Sequence, residues 1–324
     1  MRIVSLLPSA TEIVCLLGLG DKLVGRSHAC DFPLDVAKVP VMTFDSFDSF
    51  DTVGTGRVVG ATNAEIDARV SQRIHEGLSL YGLHNDRLEH AKPDLILTQR
   101  NLCAVSYDTV KGAVRELNGS WTHEAHIVSL EPTTMDGIFE TIVTIGELTN
   151  TAAMAKAQVQ ALRNRLDRVR EAVASVVHRP TVAALEWLDP PYASGYWVPE
   201  QIEIAGGYSV LGTPGKPSMG ITWDDVIATQ AEMVVAMPCD YDLAGSVRQF
   251  LGVAGNEVWR DLPATYLWQL YAVDATSFFS RPGPRVVAGA EVLAGMIHPN
   301  RWPAPGPEQA LRVNDVVQAT LRLT

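Results

Sequence analysis

RIVSLLPSATEIVCLLGLG, residues 2–20, decides the fold class. Ile3 to Leu7 is a short β-rich apolar run, as expected for a strand buried on both faces in a parallel sheet. Pro8 ends it. Ser9 and Glu12 stand at S-x-x-E spacing, a capping box. Ile13, Leu16 and Leu17 follow at helical intervals, and Gly18 and Gly20 close the helix. The stretch reads as strand, tight turn and helix.

The unit recurs along the chain. Leu23–Ser27, Leu95–Gln99 and His126–Leu130 are further apolar strands, with a polar loop over residues 45–62 and a helix over 64–80 between the first two. Alternating strands and helices predict an α/β fold with a mainly parallel sheet covered on both faces. The rhythm changes after Leu130. Val159, Leu162, Leu166, Val169, Val173 and Val176 step by three and four, an apolar stripe on one long helix over residues 151–177. Arg179-Pro180 ends it, and alternation resumes with strands at 181–187, 233–239 and 270–275. Thr222 and Asp225 form a second capping pair. A closing helix covers 285–297, and Pro303–Pro307 reads as loose tail before a short helix. The expected domains are an α/β lobe at 1–131, a connecting helical segment at 132–179, a second α/β lobe at 180–299 and a tail at 300–324.

Composition narrows the function. The 324 residues carry 26 Lys+Arg against 37 Asp+Glu, a net charge of -11. Such a surface repels nucleic-acid backbones and anionic lipid. No apolar stretch reaches the roughly 20 residues needed to span a bilayer, so membrane insertion is not expected. The N-terminal apolar run is broken by Pro8, Ser9, Thr11 and Glu12 without a small-residue cleavage site. This reading therefore expects a cytoplasmic protein. Cys15, Cys30, Cys103 and Cys239 show no CxxC spacing and are expected as free thiols. GLGDKLVG (18–25) and AGGYSVLG (205–212) match no phosphate-binding loop in full.

Ligands on open parallel sheets bind beyond the carboxyl ends of the strands. The candidate site residues are those just after each strand. The first lobe supplies Ser9 and Thr11 at a helix start, His28, Asp31 and Phe32 in SHACDFP (27–33), and Arg100 in QRNLC (99–103). The second supplies Glu186, Trp187, Tyr192 and Trp197 from EWLDPPYASGYW (186–197), Tyr241 from PCDYD (238–242), and Phe279 and Arg281 from SFFSRPGPR (277–285). Aromatics are 7% of the chain yet gather at these strand ends. Flat side chains there suit a broad, partly apolar ligand. Cys30, Cys103 and Cys239, with His28 and Glu186, are candidate metal ligands; the alternative is that these cysteines are simply buried.

RIVSLLPSATEIVCLLGLGDKLVGRSHACDFP (2–33), WVPEQIEIAGG (197–207) and FFSRPGPRVVAGAEVLAGMIHP (278–299) resemble the cobalamin-binding branch of the ABC-transporter substrate-binding proteins with a helical backbone. The likeness runs over roughly residues 1–299. It implies two Rossmann-like lobes, a rigid connecting helix and a corrinoid such as cobalamin in the cleft between the lobes, with Arg281 at a ligand-facing position. Family members that dock a permease carry an exposed acidic residue on each lobe. The first counterpart falls near Tyr107, which is not acidic, and the second near Asp240 or Asp242, so permease docking is not expected. The expected function is binding of a corrinoid. The alternatives are binding of another metal chelate, siderophore or haem, and catalysis by a His28, Cys30, Cys103 and Glu186 cluster.

Overall fold

The fold is described from a computed structural model, which covers residues 1–45, 52–53, 57–58, 63–76, 80–100, 105–117 and 124–321. The chain divides into two compact units. The first holds Met1–Pro132 and Phe139–Val159, and the second holds Thr133–Ile138 and Gln160–Thr324.

The first unit is built on four parallel strands, β1 (Ile3–Ser5), β2 (Leu23–Arg26), β3 (Leu95–Thr98) and β4 (His126–Ser129), in the order β2-β1-β3-β4. Every residue of β1 and β3 is buried, which is why both read as unbroken apolar runs. Helix α1 (Pro8–Leu16) follows β1. It departs from the capping-box expectation. Pro8 occupies the first helical position, Leu7 is the N-cap, and no side chain caps the end. Proline's fixed φ suits that position, so Ser9 and Glu12 fall inside the helix, where both are buried. Gly18 has φ 76, the left-handed stop the sequence called for. Helix α2 (Tyr107–Leu117) precedes β4. Val4, Leu6, Met42, Leu88, Ile96 and Val110 are among the buried residues of this core.

Helix α3 (Met135–Leu148) and helix α4 (Ala152–Val173) follow. The 22 residues of α4 rise about 33 Å. Leu162, Leu166, Val169 and Val173 of the stripe are buried, while Arg163, Asp167, Arg168 and Arg170 point to solvent. Arg165 is the exception on the polar side: its guanidinium grips Glu291 through two bonds of 2.9 and 2.6 Å.

The second unit carries a seven-stranded mixed sheet. Its strands are β5 (Thr181–Leu188), β6 (Pro191–Ala193), β7 (Tyr208–Ser209), β8 (Met219–Gly220), β9 (Met233–Ala236), β10 (Leu270–Val273) and β11 (Ala310–Arg312), in the order β8-β6-β5-β9-β10-β11 with β7 also on β5. β5, β9 and β10 are parallel neighbours, and β6, β8 and β11 pair antiparallel. Helix α5 (Val198–Ile204), helix α6 (Trp223–Ala228), helix α7 (Leu243–Val253), helix α8 (Val286–Ile297) and helix α9 (Asn314–Leu321) complete it. The Thr222–Asp225 capping box at α6 is fully formed. The core gathers Leu185, Val234, Phe250, Trp259, Leu262 and Leu270.

The short helix expected after Pro307 is α9, and a strand the sequence reading did not expect, β11, precedes it. β11 extends the sheet and α9 packs on it, with Val313 and Val317 in the core. A three-residue strand is too short to show a period of two, so no strand signal is legible there.

Candidate functional site

In the first unit the expected residues fall into two groups. Ser5, at the end of β1, accepts the Thr11 hydroxyl at 2.8 Å, and Thr11 Oγ1 lies 3.1 Å from Cys30 Sγ. Ser9, Thr11 and Cys30 are all buried. The start of α1 is therefore closed by its own side chains rather than open to solvent. His28 stands beside them: its backbone N–H donates to Thr43 Oγ1 at 2.9 Å, its Nδ1 lies 2.7 Å from the same hydroxyl, and its ring packs on Tyr81. Asp31 and Phe32 are exposed, Phe32 by 45%. Arg26, which sequence reasoning passed over, braces this loop by donating to the carbonyls of Ser27, Cys30 and Val39.

The other group follows β3. Arg100 is exposed, its backbone N–H donates to Glu131 Oε1, and its guanidinium lies over the Tyr107 ring at 5.5 Å. Cys103 lies outside the described residues.

The second unit draws its candidates together at the carboxyl ends of β5, β9 and β10. Trp187 lies one residue before the end of β5, with Tyr192 opposite it on β6. The Trp187 indole donates to the Asp189 carbonyl at 3.1 Å, and its ring lies 5.9 Å from that of Tyr241. The loops are tied to one another: Cys239 N–H to the Glu186 carbonyl, Thr276 N–H to the Tyr241 carbonyl, and Asp240 N–H to the Ser280 hydroxyl. Trp187, Tyr192 and Tyr241 are half-buried.

Trp197, Phe279 and Arg281 sit deeper, at 6%, 3% and 9% exposure. The Trp197 indole donates to the Phe279 carbonyl at 2.9 Å. Gln201, fully buried on α5, donates to the carbonyls of Phe278 and Val286 at 3.1 and 2.7 Å. These bonds clamp the FFSRPG segment to α5. Gln201 escaped the sequence reading because its partners lie 77 and 85 residues away.

Glu186 occupies the centre of this edge. The Ser218 hydroxyl donates to its carboxylate, and Gly195 N–H donates to Ser218 Oγ at 3.0 Å. A Cβ at Gly195 would come within 2.4 Å of the Lys216 carbonyl, so glycine is what lets the 216–218 backbone lie this close. Burial pushes the Glu186 carboxyl above the ordinary glutamate range, held back in part by Ser218 and by Gly195 N–H. The folded chain therefore holds this proton more tightly than the unfolded chain. That contribution to stability is complete below the ordinary glutamate pKa and is lost as pH rises through the raised value. Glu186→Gln should accordingly gain on the native chain as pH climbs. The expected result is a melting-temperature difference, native minus variant, that is more negative at pH 8 than at pH 4. A difference flat with pH would contradict the burial argument.

Cys30 and Cys239 belong to different units and carry free thiols, and among the described residues no group of three or more His, Cys, Asp or Glu is arranged to hold an ion. Asp242 caps α7 through Gly245 N–H at 2.7 Å, and Asp240 is exposed with φ 64. Among the described residues no helix is long and apolar enough to cross a membrane.

The family model described as Periplasmic binding protein matches residues 3–276. An uncharacterized ABC transporter substrate-binding lipoprotein of Bacillus subtilis is 22% identical over 307 residues, 93% of this chain and 81% of that protein. A cobalamin-binding protein of Halobacterium salinarum is 26% identical over 307 residues, 92% of this chain and 69% of that protein. The crystal structure of a periplasmic heme-binding protein from Pseudomonas aeruginosa superposes with a TM-score of 0.68 at 17% identity, covering 95% of this chain and 96% of that one. The expectation of a cytoplasmic protein is corrected by these matches, since one is a lipoprotein and another periplasmic. The likeness read from residues 2–33, 197–207 and 278–299 is met across nearly the whole length, and the chain belongs to the periplasmic binding protein family.

Proposed function

We propose that the chain is an extracytoplasmic binding protein for a cobalamin-like corrinoid, held by side chains at the carboxyl ends of its parallel strands. The observation that carries this reading is the convergence of Trp187, Tyr192 and Tyr241 on one edge of the second unit, where three strand-end loops are hydrogen-bonded together. Half-buried aromatic faces on a braced edge give large contact area at small entropic cost. Asp31, Phe32 and Arg100 are the corresponding accessible side chains of the first unit. Trp197, Phe279 and Arg281 support the edge from within. Ser9, Thr11 and His28 do the same in the first unit. Glu186 holds the 216–218 loop. The cobalamin-binding relative from Halobacterium salinarum supports the choice of corrinoid over other chelates.

Titration with cyanocobalamin, followed by absorbance and calorimetry, tests the reading. Saturable one-to-one binding is expected. No binding at ~100 μM, already a weak regime, overturns it, and saturable binding of haemin in its place would reassign the ligand to the haem class.

A further inference from the structure

A separate cavity lies in the first unit. It measures about 580 Å³ and is formed between α2 and β4, lined by Tyr107, Lys111, Arg115, Glu124 and His126 with apolar side chains behind them. Tyr107, Lys111 and Arg115 recur at i, i+4 and i+8, so α2 presents all three on one face. β4 is the outer strand of its sheet among the described residues. The Tyr107 ring has Lys111 Nζ 5.7 Å from its centre and the Arg100 guanidinium at 5.5 Å, so it holds cations beside the cavity mouth.

The charge here runs against the rest of the molecule. The chain carries -11 overall, yet two fixed cations and an imidazole face a single carboxylate, Glu124, in this cavity. Cations crowded into a concave surface repel one another unless an anion joins them. The volume matches that of a small organic molecule. None of the residues proposed to contact the corrinoid lines this cavity.

We propose that this cavity binds a small organic anion, through a carboxylate or phosphate group placed between Lys111 and Arg115, with Tyr107 as its aromatic wall. Lysine supplies a point charge, and arginine a planar fork suited to two oxygens. His126 offers a further donor on the strand side.

Calorimetric titration of the full chain with citrate, and separately with inorganic phosphate, tests this at low ionic strength, where exposed charges are least screened. Saturable binding of at least one is expected, and the two arms distinguish a carboxylate site from a phosphate site. Lys111→Gln with Arg115→Gln should weaken that binding by about tenfold or more, with cyanocobalamin titration unchanged. Both side chains reach solvent, so the variant should fold as the native chain does, which its melting temperature verifies. Saturation by neither anion up to ~10 mM, a very weak regime, overturns the proposal. Equal binding by the native chain and the double variant overturns it as well. Absence of corrinoid binding by the native chain, with its anion binding intact, would instead count against the strand-end reading alone.

Discussion

Alanine at Trp187 should weaken cyanocobalamin binding by about thirtyfold or more. Truncating an aromatic anchor at the centre of a contact surface costs roughly 2–4 kcal/mol, and each 1.4 kcal/mol is about tenfold. Trp187 meets the structural conditions for such an anchor. It is the penultimate residue of strand β5, its indole N–H is already satisfied by the Asp189 carbonyl, and its ring is set against Tyr241. The side chain is thus fixed before any ligand arrives, and little rotamer entropy is lost on binding. Trp187→Phe keeps the aromatic face and should stay within about fivefold of the native chain. Because Trp187 is only half-buried, alanine there should cost the fold far less than a core truncation. Affinities from absorbance titration, with melting temperatures for each variant, decide the matter. Near-native affinity in Trp187→Ala would remove this residue from the contact surface.

The sequence made the strands legible wherever both faces are buried. β1, β3, β9 and β10 are continuous apolar runs because every residue in them is covered. Their ends were harder. Leu6 and Leu7 continue the apolar run yet lie beyond β1: Leu6 N–H still reaches the Leu97 carbonyl of β3 at 2.9 Å, and both side chains are buried past the strand's end. Short antiparallel additions such as β6 and β8 gave no periodic signal, being three and two residues long. Capping shows the same limit. Thr222–Asp225 and Ser9–Glu12 share one spacing, but only the first forms, because Pro8 moved the start of α1 one residue ahead of Ser9.

At the candidate site, chain position indicated which loops lie at strand ends. It did not indicate depth. Trp187 and Trp197 are both tryptophans of one twelve-residue segment, yet one is half-buried and the other is inside, bonded to a carbonyl 82 residues away. Depth of this kind depends on long-range partners that no local pattern encodes. The same holds for Ser218, which meets Glu186 across 32 residues, and for Gln201.

Asn314 is the clearest case of a residue whose importance is entirely long-range, and its replacement should be the most damaging to stability. It is fully buried at the start of α9. Its side-chain oxygen accepts Leu270 N–H at 2.9 Å, and its amide donates to the carbonyls of Thr265 at 2.9 Å and Ala264 at 3.3 Å. Val313 N–H meanwhile donates to the Leu270 carbonyl. The C-terminal segment therefore satisfies both backbone groups at the start of β10, a strand in the middle of the core. Asn314→Ala leaves the Leu270 N–H and the Thr265 carbonyl without these partners, while the Ala264 carbonyl keeps the Gln269 N–H at 2.8 Å. At roughly 1–3 kcal/mol for each of the two buried groups left unpaired, the expected loss is about 3–4 kcal/mol. The unfolding temperature should fall by roughly 6–12 °C. Asn314→Asp separates hydrogen bonding from volume. Aspartate keeps the acceptor, loses both donors and introduces a buried charge. Its carboxyl should be raised in the folded chain, so its penalty is smallest below the ordinary aspartate pKa and grows as pH rises through the raised value. Urea unfolding at pH 4 and pH 8 should show the aspartate variant closer to the native chain at the lower pH, and the alanine variant equally weakened at both. An alanine variant within about 1 kcal/mol of native, the size of an ordinary surface change, would mean that the C-terminal segment does not secure β10.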